Sequence, residues 1–352
     1  MKKVMSGIFV VTLAAGLLMI LFSSCSSNNG KTRTAPVALY LTDDLSTYKQ
    51  MIATITSAQI LNTGSGAACD VLAAPVTVNI AELTSMLQLV DVAQCPVTPY
   101  NRIRIEFAKS VQLMDQTGAS SLCSFGSSRD EVNRPNVLLC SGPTCTLDIN
   151  GAVNVLAGQQ NKLALDFDLK NFAIDRFTDP ATCSVTMKVS PLHAEEIEVR
   201  GHPEGVTGLI SGLSTTDRTF LLTRGNKTFS VLYSGITPTW QPGIDRLLQL
   251  AQTNDLRVKV ISSRIDVDAA NVLATTIFVK LEGTVSDLDA PAHLFTLAYE
   301  GGKTIRVDYS AAAVEGTLAD IVWVELKLYG FDGGNYRASI VESGTSGMST
   351  DD

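Results

Sequence analysis

Gly225-Asn226-Lys227-Thr228-Phe229-Ser230-Val231-Leu232-Tyr233-Ser234 and Gly301-Gly302-Lys303-Thr304-Ile305-Arg306-Val307-Asp308-Tyr309-Ser310 are two copies of one segment. In each, a glycine turn opens a strand whose apolar residues alternate with polar ones. Working outward, Phe220-Leu221-Leu222 matches Phe295-Thr296-Leu297 at an offset of 75 residues. At the same offset, Gly208-Leu209-Ile210-Ser211-Gly212-Leu213 matches Gly283-Thr284-Val285-Ser286-Asp287-Leu288. Downstream, each copy reaches another strand, Leu256 to Ile261 and Val322 to Leu328. Each closes on a turn and a last strand: Asp268-Ala269-Ala270-Asn271 before Ala274 to Val279, and Asp332-Gly333-Gly334-Asn335 before Arg337 to Val341. Asparagine, aspartate and glycine tolerate the backbone that tight hairpins need. Two copies of about five short strands predict two small, OB-like β-barrels in tandem, at 205–280 and 281–343. Asp245 to Gln252, with leucines at helical spacing, predicts one helix inside the first copy.

The region before the repeats also alternates in the β manner. Val37-Ala38-Leu39-Tyr40-Leu41 and the stretch from Ile52 to Ile60 read as strands. In Arg102-Ile103-Arg104-Ile105-Glu106-Phe107 and in Lys162-Leu163-Ala164-Leu165-Asp166-Phe167-Asp168-Leu169, apolar and charged side chains largely take opposite faces. Leu83, Leu87 and Val90 suggest one short helix over Ile80 to Val90. Residues 115 to 146, rich in Ser, Gly and Cys, read as an excursion outside the core. The fold expected is therefore all-β: an N-terminal β-sandwich with one short helix over 36–198, then the two barrels. Gly201-His202-Pro203-Glu204-Gly205 reads as the linker between them, and 344–352 as a disordered tail.

The N-terminus supplies an address. Lys2 and Lys3 precede an apolar run from Gly7 to Phe22, and Phe22-Ser23-Ser24-Cys25 follows. That layout is a secretory signal of the lipoprotein type over 1–24, with Cys25 as the lipidated residue and 25–35 as a flexible tether. The apolar run falls short of the roughly 20 residues of a membrane span. Ser26 and Ser27 follow Cys25 without an aspartate, which points to the bacterial outer membrane, either face, with attachment through the lipid. With Lys2 and Lys3 removed, 27 basic side chains become 25 against 35 acidic ones, a net charge of −10. No basic stripe is visible, so nucleic acid is not the expected partner.

Seven cysteines less Cys25 leave Cys69, Cys95, Cys123, Cys140, Cys145 and Cys183, all before the repeats. An even set in an exported chain predicts three disulfides. Six cysteines allow 15 pairings, and only Cys69 with Cys95 is preferred, because each sits in a loop flanking Val76 to Val92. No C-x-x-C pair is present, so neither a metal centre nor c-type haem is expected, and no cofactor is implied.

Several of these stretches together resemble a known family. They are Leu39-Tyr40-Leu41-Thr42-Asp43, Ile52 to Ile60, Asn79-Ile80-Ala81-Glu82-Leu83, Tyr100-Asn101-Arg102-Ile103-Arg104 and Leu165-Asp166-Phe167-Asp168-Leu169. The region 36–198 resembles domain-of-unknown-function family forty-three eighty-two, whose members are typically exported or lipid-anchored β-rich proteins. It departs from the pattern at Asp44-Leu45 and in its six cysteines. The repeats resemble another uncharacterised family, number fifty-six sixty-six. Neither resemblance implies catalytic residues.

Candidate chemistry is sparse. His193, His202 and His293 are scattered, each within two residues of a proline, and no G-x-S-x-G elbow occurs. Asp166 and Asp168 share a strand face and could bind Ca²⁺, but pairing with Arg102 and Arg104 on a neighbouring strand is the favoured reading. Asp266-Val267-Asp268 with Asn271 lacks the glycine and distal glutamate of an EF-hand loop. Trp240, Tyr233 and Tyr309 are candidate stacking residues for a small ligand or glycan; Trp240 and Trp323 could each be exposed stackers, with core or edge packing the favoured reading of both. The expectation is a non-catalytic module that binds or scaffolds an envelope protein, with glycan or small-ligand binding as the alternative and hydrolysis behind both.

Overall fold

The structure is a computed structural model that describes residues 33–43, 48, 50–84, 86–114, 120–129, 136–167, 173–176, 182–186, 189–192 and 202–343. Cys25, the signal segment before it, the tether to residue 32, Asp168, His193 and the tail from 344 lie outside the described residues. The described chain is all-β, as the alternation predicts.

The N-terminal region contributes β1 (Thr34–Thr42), β2 (Gln50–Leu61), β3 (Ala68–Asp70), β4 (Val76–Asn79), β5 (Leu87–Pro96), β6 (Pro99–Met114) and β7 (Ser120–Phe125). It continues through β8 (Ser128–Arg129), β9 (Asn136–Ser141), β10 (Thr144–Asn154), β11 (Asn161–Phe167), β12 (Ala173–Arg176), β13 (Thr182–Thr186) and β14 (Val189–Leu192). Strands β14-β11-β1-β5 form one sheet, and β12-β13-β7-β6-β10-β9-β8, with β2 against β6, form the other. Val37, Leu39, Leu163, Leu165 and Phe167 of the first meet Ile103, Ile105, Phe107, Phe125 and Leu147 of the second in one core. On β6 the isoleucines and Phe107 point inward, while Arg102, Arg104 and Glu106 do not.

Three expectations for this region are corrected. Only Ile80–Leu83 is helical, as a single 3₁₀ turn, and Leu87 onward is strand β5. Strand β5 has Leu87 and Leu89 in the core of the rings and Val90 in the core of the sandwich, and Leu87, Gln88, Leu89 and Val90 are all buried. A strand covered on both faces loses its alternation and reads like a buried helix. Residues 115 to 146 are not a mere excursion: β7, β9 and β10 are sandwich strands, with Cys123, Phe125, Leu138 and Cys145 in the core. Their small polar residues include outward alternates such as Ser124. Finally, Arg104 meets Asp148, its register partner on β10, with Nε to Oδ1 at 2.8 Å and Nη2 to Oδ2 at 3.0 Å. Asp166 is on β11 in the opposite sheet and is buried, so it does not pair with the arginines.

The first repeat comprises β15 (Glu204–Ser214), β16 (Thr219–Arg224), β17 (Lys227–Leu232), helix α1 (Ile244–Thr253), β18 (Arg257–Asp266) and the first half of β19 (Asn271–Asp289). Its pairings close into a ring, β15-β16-β17-β19-β18-β15, with only β17–β19 parallel. The second repeat closes the same ring from the far half of β19 through β20 (Leu294–Tyr299), β21 (Lys303–Asp308), β24 (Asn335–Ser343) and β23 (Trp323–Asp332). A short β22 (Ala313–Glu315) adds to β24. Strand β19 is thus the last strand of one ring and the first of the next. No loop separates the repeats at 280/281.

Nor do Glu204 and Gly205 act as a free linker. They begin β15, pair in parallel with Leu87 and Gln88 of β5, and are buried. Gln241 locks the rings together: its Nε2 donates to the carbonyls of Ile277 (2.6 Å) and Tyr329 (2.9 Å), while its Oε1 accepts from the Ile277 N–H (3.0 Å). Sandwich residues Tyr40, Leu87, Leu89 and Ala164 are continuous with the core of the rings.

Candidate functional site

All six candidate cysteines are bonded, as Cys69–Cys95, Cys123–Cys183 and Cys140–Cys145. The last two join register partners, Cys123 with Cys183 on parallel β7 and β13, and Cys140 with Cys145 across the β9–β10 hairpin. Cys69–Cys95 joins β3 to the end of β5, strands of opposite sheets. These are braces within the sandwich, and none reaches the rings.

The proposed stackers are not brought together. Tyr233 is fully buried in the first ring, packed 5.9 Å from Phe220 with the Arg218 guanidinium 5.1 Å over its ring. Its hydroxyl donates to Asp245 Oδ1 at 2.8 Å, and burial, then that bond, push the phenol well above its ordinary value. Tyr309 is half-buried in the second ring between His293 (5.4 Å) and Phe295 (5.6 Å). Trp240 is 64 % exposed, beyond the end of β17. His202 is half-buried and His293 exposed. Asp266 closes its own turn, accepting from the Ala269 N–H, and also accepts from Gln160 Nε2, both at 2.9 Å. Among the described residues, no group of three or more His, Cys, Asp or Glu is placed to hold a metal. No described helix is long and apolar enough to cross a membrane.

What the fold does assemble is an exposed apolar stripe. Leu209, Leu221, Leu232 and Leu273 lie on β15, β16, β17 and β19 and are 47, 43, 39 and 53 % exposed. Leu232 and Leu273 are direct register partners. Leu221 pairs with Ser230 and Leu209 with Thr223, so the remaining contacts are diagonal neighbours across adjacent strands. In the second ring the equivalent positions are Thr284, Thr296, Asp308 and Arg337. Asp308 and Arg337 are likewise register partners and form an ion pair at 3.8 Å. One scaffold therefore carries leucines on one copy and polar groups on the other. Superposing the repeats by sequence contains this signal, but only when outward positions are compared separately from inward ones.

Two buried carboxylates join the sandwich to the rings. Glu204 of β15 accepts from the Tyr40 hydroxyl (3.0 Å), the Ile265 N–H (2.8 Å) and the Lys162 ammonium. Burial and the Glu204 charge hold the Tyr40 phenol well above its ordinary range. In the other direction, Glu82 of the 3₁₀ turn meets Lys327 (2.8 Å) and Lys280 (3.9 Å) of the second ring. Burial alone would raise Glu82, but Lys327, Lys280 and Lys259 hold its carboxyl well below the usual carboxylate range. Glu342 nearby accepts from Gln50 Nε2 at 3.3 Å. It is pushed up to about 7, first by burial and then by Glu82, against the pull of Lys327. None of these groups was separable from ordinary surface charge in the sequence, because their partners lie from 42 to 292 residues away.

Two cavities open at the same end of the two rings. One, about 410 Å³, lies between the sandwich and the first ring; the other, about 500 Å³, lies between the rings.

Residues 34–178 match a family model described as Domain of unknown function (DUF4382). None of the curated proteins matches the chain.

Proposed function

We propose that this protein is a non-catalytic lipoprotein of the bacterial cell envelope, held at the outer membrane through Cys25, that docks another envelope protein. The rings are read as OB-like modules, in keeping with their shared strand order and the helix between the third and fourth strands of the first. The observation that carries the reading is the leucine stripe on the first ring. Four large apolar side chains across four adjacent strands are costly to leave in water, and the second ring has no such set at the same positions. The clamps at Glu204, Glu82 and Gln241 support rigid presentation of that face. The partner chemistry is a complementary apolar protein surface.

The test is photo-crosslinking in intact envelopes from a benzophenone residue placed at Leu221. A discrete adduct with a different protein is expected. The paired substitution Leu232→Asp with Leu273→Arg, which installs the second ring's residues, removes it while changing stability by only about 0.5 kcal/mol. An adduct with a second copy of the chain, an adduct unaffected by the pair, or no adduct overturns the docking reading. Loss of palmitate labelling in Cys25→Ser tests the anchor separately.

A further inference from the structure

The two cavities are copies of one another, and they have diverged in chemistry. Gly208, Leu209 and Thr223 of the first correspond to Gly283, Thr284 and Ala298 of the second at the 75-residue offset. Arg257 pairs with Leu209 as Trp323 pairs with Thr284, so Arg257 corresponds to Trp323, and Arg224 to Tyr299. In both copies the glycine is required: a Cβ on Gly208 would overlap the Thr223 carbonyl, and one on Gly283 the Ala298 carbonyl. The duplication has therefore preserved the floor of the groove while its walls changed.

In the first copy the groove serves the joint with the sandwich. Arg224 is buried, and its Nε donates to the Val90 carbonyl at 2.9 Å. In the second copy, aromatic rings take the place of both arginines. Tyr299 is buried and Trp323 half-buried in the wall. Around them stand three carboxylates, Glu282 on β19, Glu300 in the β20–β21 turn and Asp255 after helix α1, and two cations, Arg257 on β18 and Lys280 on β19. Asp255 and Glu300 are exposed and Glu282 half-buried. The chain enters Trp323 on a fixed path. Ile321, 87 % exposed, sits at φ 69°, a conformation costing a β-branched residue about 1–2 kcal/mol. The Ile321 N–H to the Val285 carbonyl (2.8 Å) and the Val285 N–H to the Val322 carbonyl (2.9 Å) hold it there.

We propose that the groove between the rings binds a short neutral saccharide, stacked on the Trp323 indole with its hydroxyls donating to Glu282, Glu300 and Asp255. A pyranose presents an apolar C–H face and a rim of donors, which matches one aromatic wall ringed by acceptors. The cavity falls within the range of roughly 300–1,000 Å³ usual for small-ligand sites. With three carboxylates against Arg257 and Lys280, the wall offers acceptors and donors to hydroxyl groups and is too polar for a purely apolar ligand. This site is remote in role from the leucine stripe, and either proposal can fail without the other.

The experiment titrates the mature chain with cellotriose and chitotriose. The chain has two tryptophans, so Trp240→Phe leaves Trp323 as the sole indole reporter. A saturable shift of its emission at millimolar sugar is expected with at least one of the two. Glu300→Ala, at an exposed position, weakens binding about tenfold by removing one charge-assisted hydrogen bond. Trp323→Ala abolishes it, read by calorimetry, with unfolding midpoint as the check on folding. The proposal is overturned if neither sugar gives a saturable response, if binding survives both substitutions unchanged, or if a uronic-acid trisaccharide binds more tightly than the neutral ones.

Discussion

Glu342→Gln should make the protein more stable at neutral pH, and the gain should vanish in acid. The cluster where the sandwich meets the second ring contains the carboxyls of Glu82, Glu325 and Glu342 and the ammonium groups of Lys280 and Lys327, with Lys259 acting on Glu82 and Glu315 adding negative charge on Glu342 from β22. Lys327 lies 2.8 Å from Glu82, and Lys280 lies 3.2 Å from Glu325 and 3.9 Å from Glu82. Glu342 is left with the neutral amide of Gln50, and its carboxyl rises from 4.5 to about 7. A carboxyl with a folded value above its unfolded one contributes no deficit below pH 4.5, where both states are protonated. Between 4.5 and 7 unfolding releases a proton, so stability falls by about 1.4 kcal/mol per pH unit. Above 7 the deficit is complete, at about 3 kcal/mol. Glutamine keeps the acceptor for Gln50 and never ionises. Urea unfolding across pH 4 to 8 should show the variant matching wild type at pH 4 and exceeding it by up to about 3 kcal/mol at pH 8, at constant m-value. Two curves that run parallel through the window from 4.5 to 7 would refute the assignment of Glu342 as the odd carboxyl in the cluster.

Glu204→Ala strands the Lys162 ammonium, the Tyr40 hydroxyl and the Ile265 N–H, and should cost about 3 kcal/mol in the same unfolding assay. Tyr40→Phe should cost only about 1 kcal/mol, because it removes one hydrogen bond and no charge. Gly283→Ala pushes a methyl into the Ala298 carbonyl, and Gly208→Ala does the same at Thr223; each should lower stability by about 1–3 kcal/mol. Replacing Cys69 and Cys95 by Ala opens a loop of 26 residues and should cost about 3.5 kcal/mol on chain entropy in the same unfolding assay.

Local pattern carried most of the fold. The alternation in β6 and the matched segments at 225–234 and 301–310 marked strands correctly, because each of those strands has one covered and one open face. The leucine spacing of Asp245 to Gln252 found α1, whose Leu247, Leu248 and Ala251 are buried. Pattern failed where a strand is covered twice. Strand β5 puts Leu87 and Leu89 into the core of the rings and Val90 into that of the sandwich, and Leu83, Leu87 and Val90 were indistinguishable from a helix face. It failed again at Glu204-Gly205, whose glycine marks close approach to Gln88 and Met86 and not a flexible joint. The sites were less legible than the fold. Trp240 is exposed although packing was the favoured reading for both tryptophans, Tyr233 is fully buried, and Trp323 lines a cavity. A tyrosine on an alternating strand gives no sign of which face it takes until the register is known.

Duplication explains why so few catalytic signals can coexist with so much structure. Both rings must keep the positions that close them: the glycine at 208 and 283, the phenylalanine at 220 and 295, and the parallel pairing of third and fifth strands. Positions outside that set are free to drift, and they have drifted as groups. The outward stripe is Leu-Leu-Leu-Leu in one ring and Thr-Thr-Asp-Arg in the other, and the groove is Arg-Arg in one and Tyr-Trp in the other. Independent drift would scatter single changes. Instead, register partners differ together: Leu232 with Leu273 in the first ring stand where the second has Asp308 with Arg337. Paired differences at surface positions are what distinct contacts on the two rings would require, and they are the ground for proposing an apolar partner surface for the first ring and a polar ligand for the second.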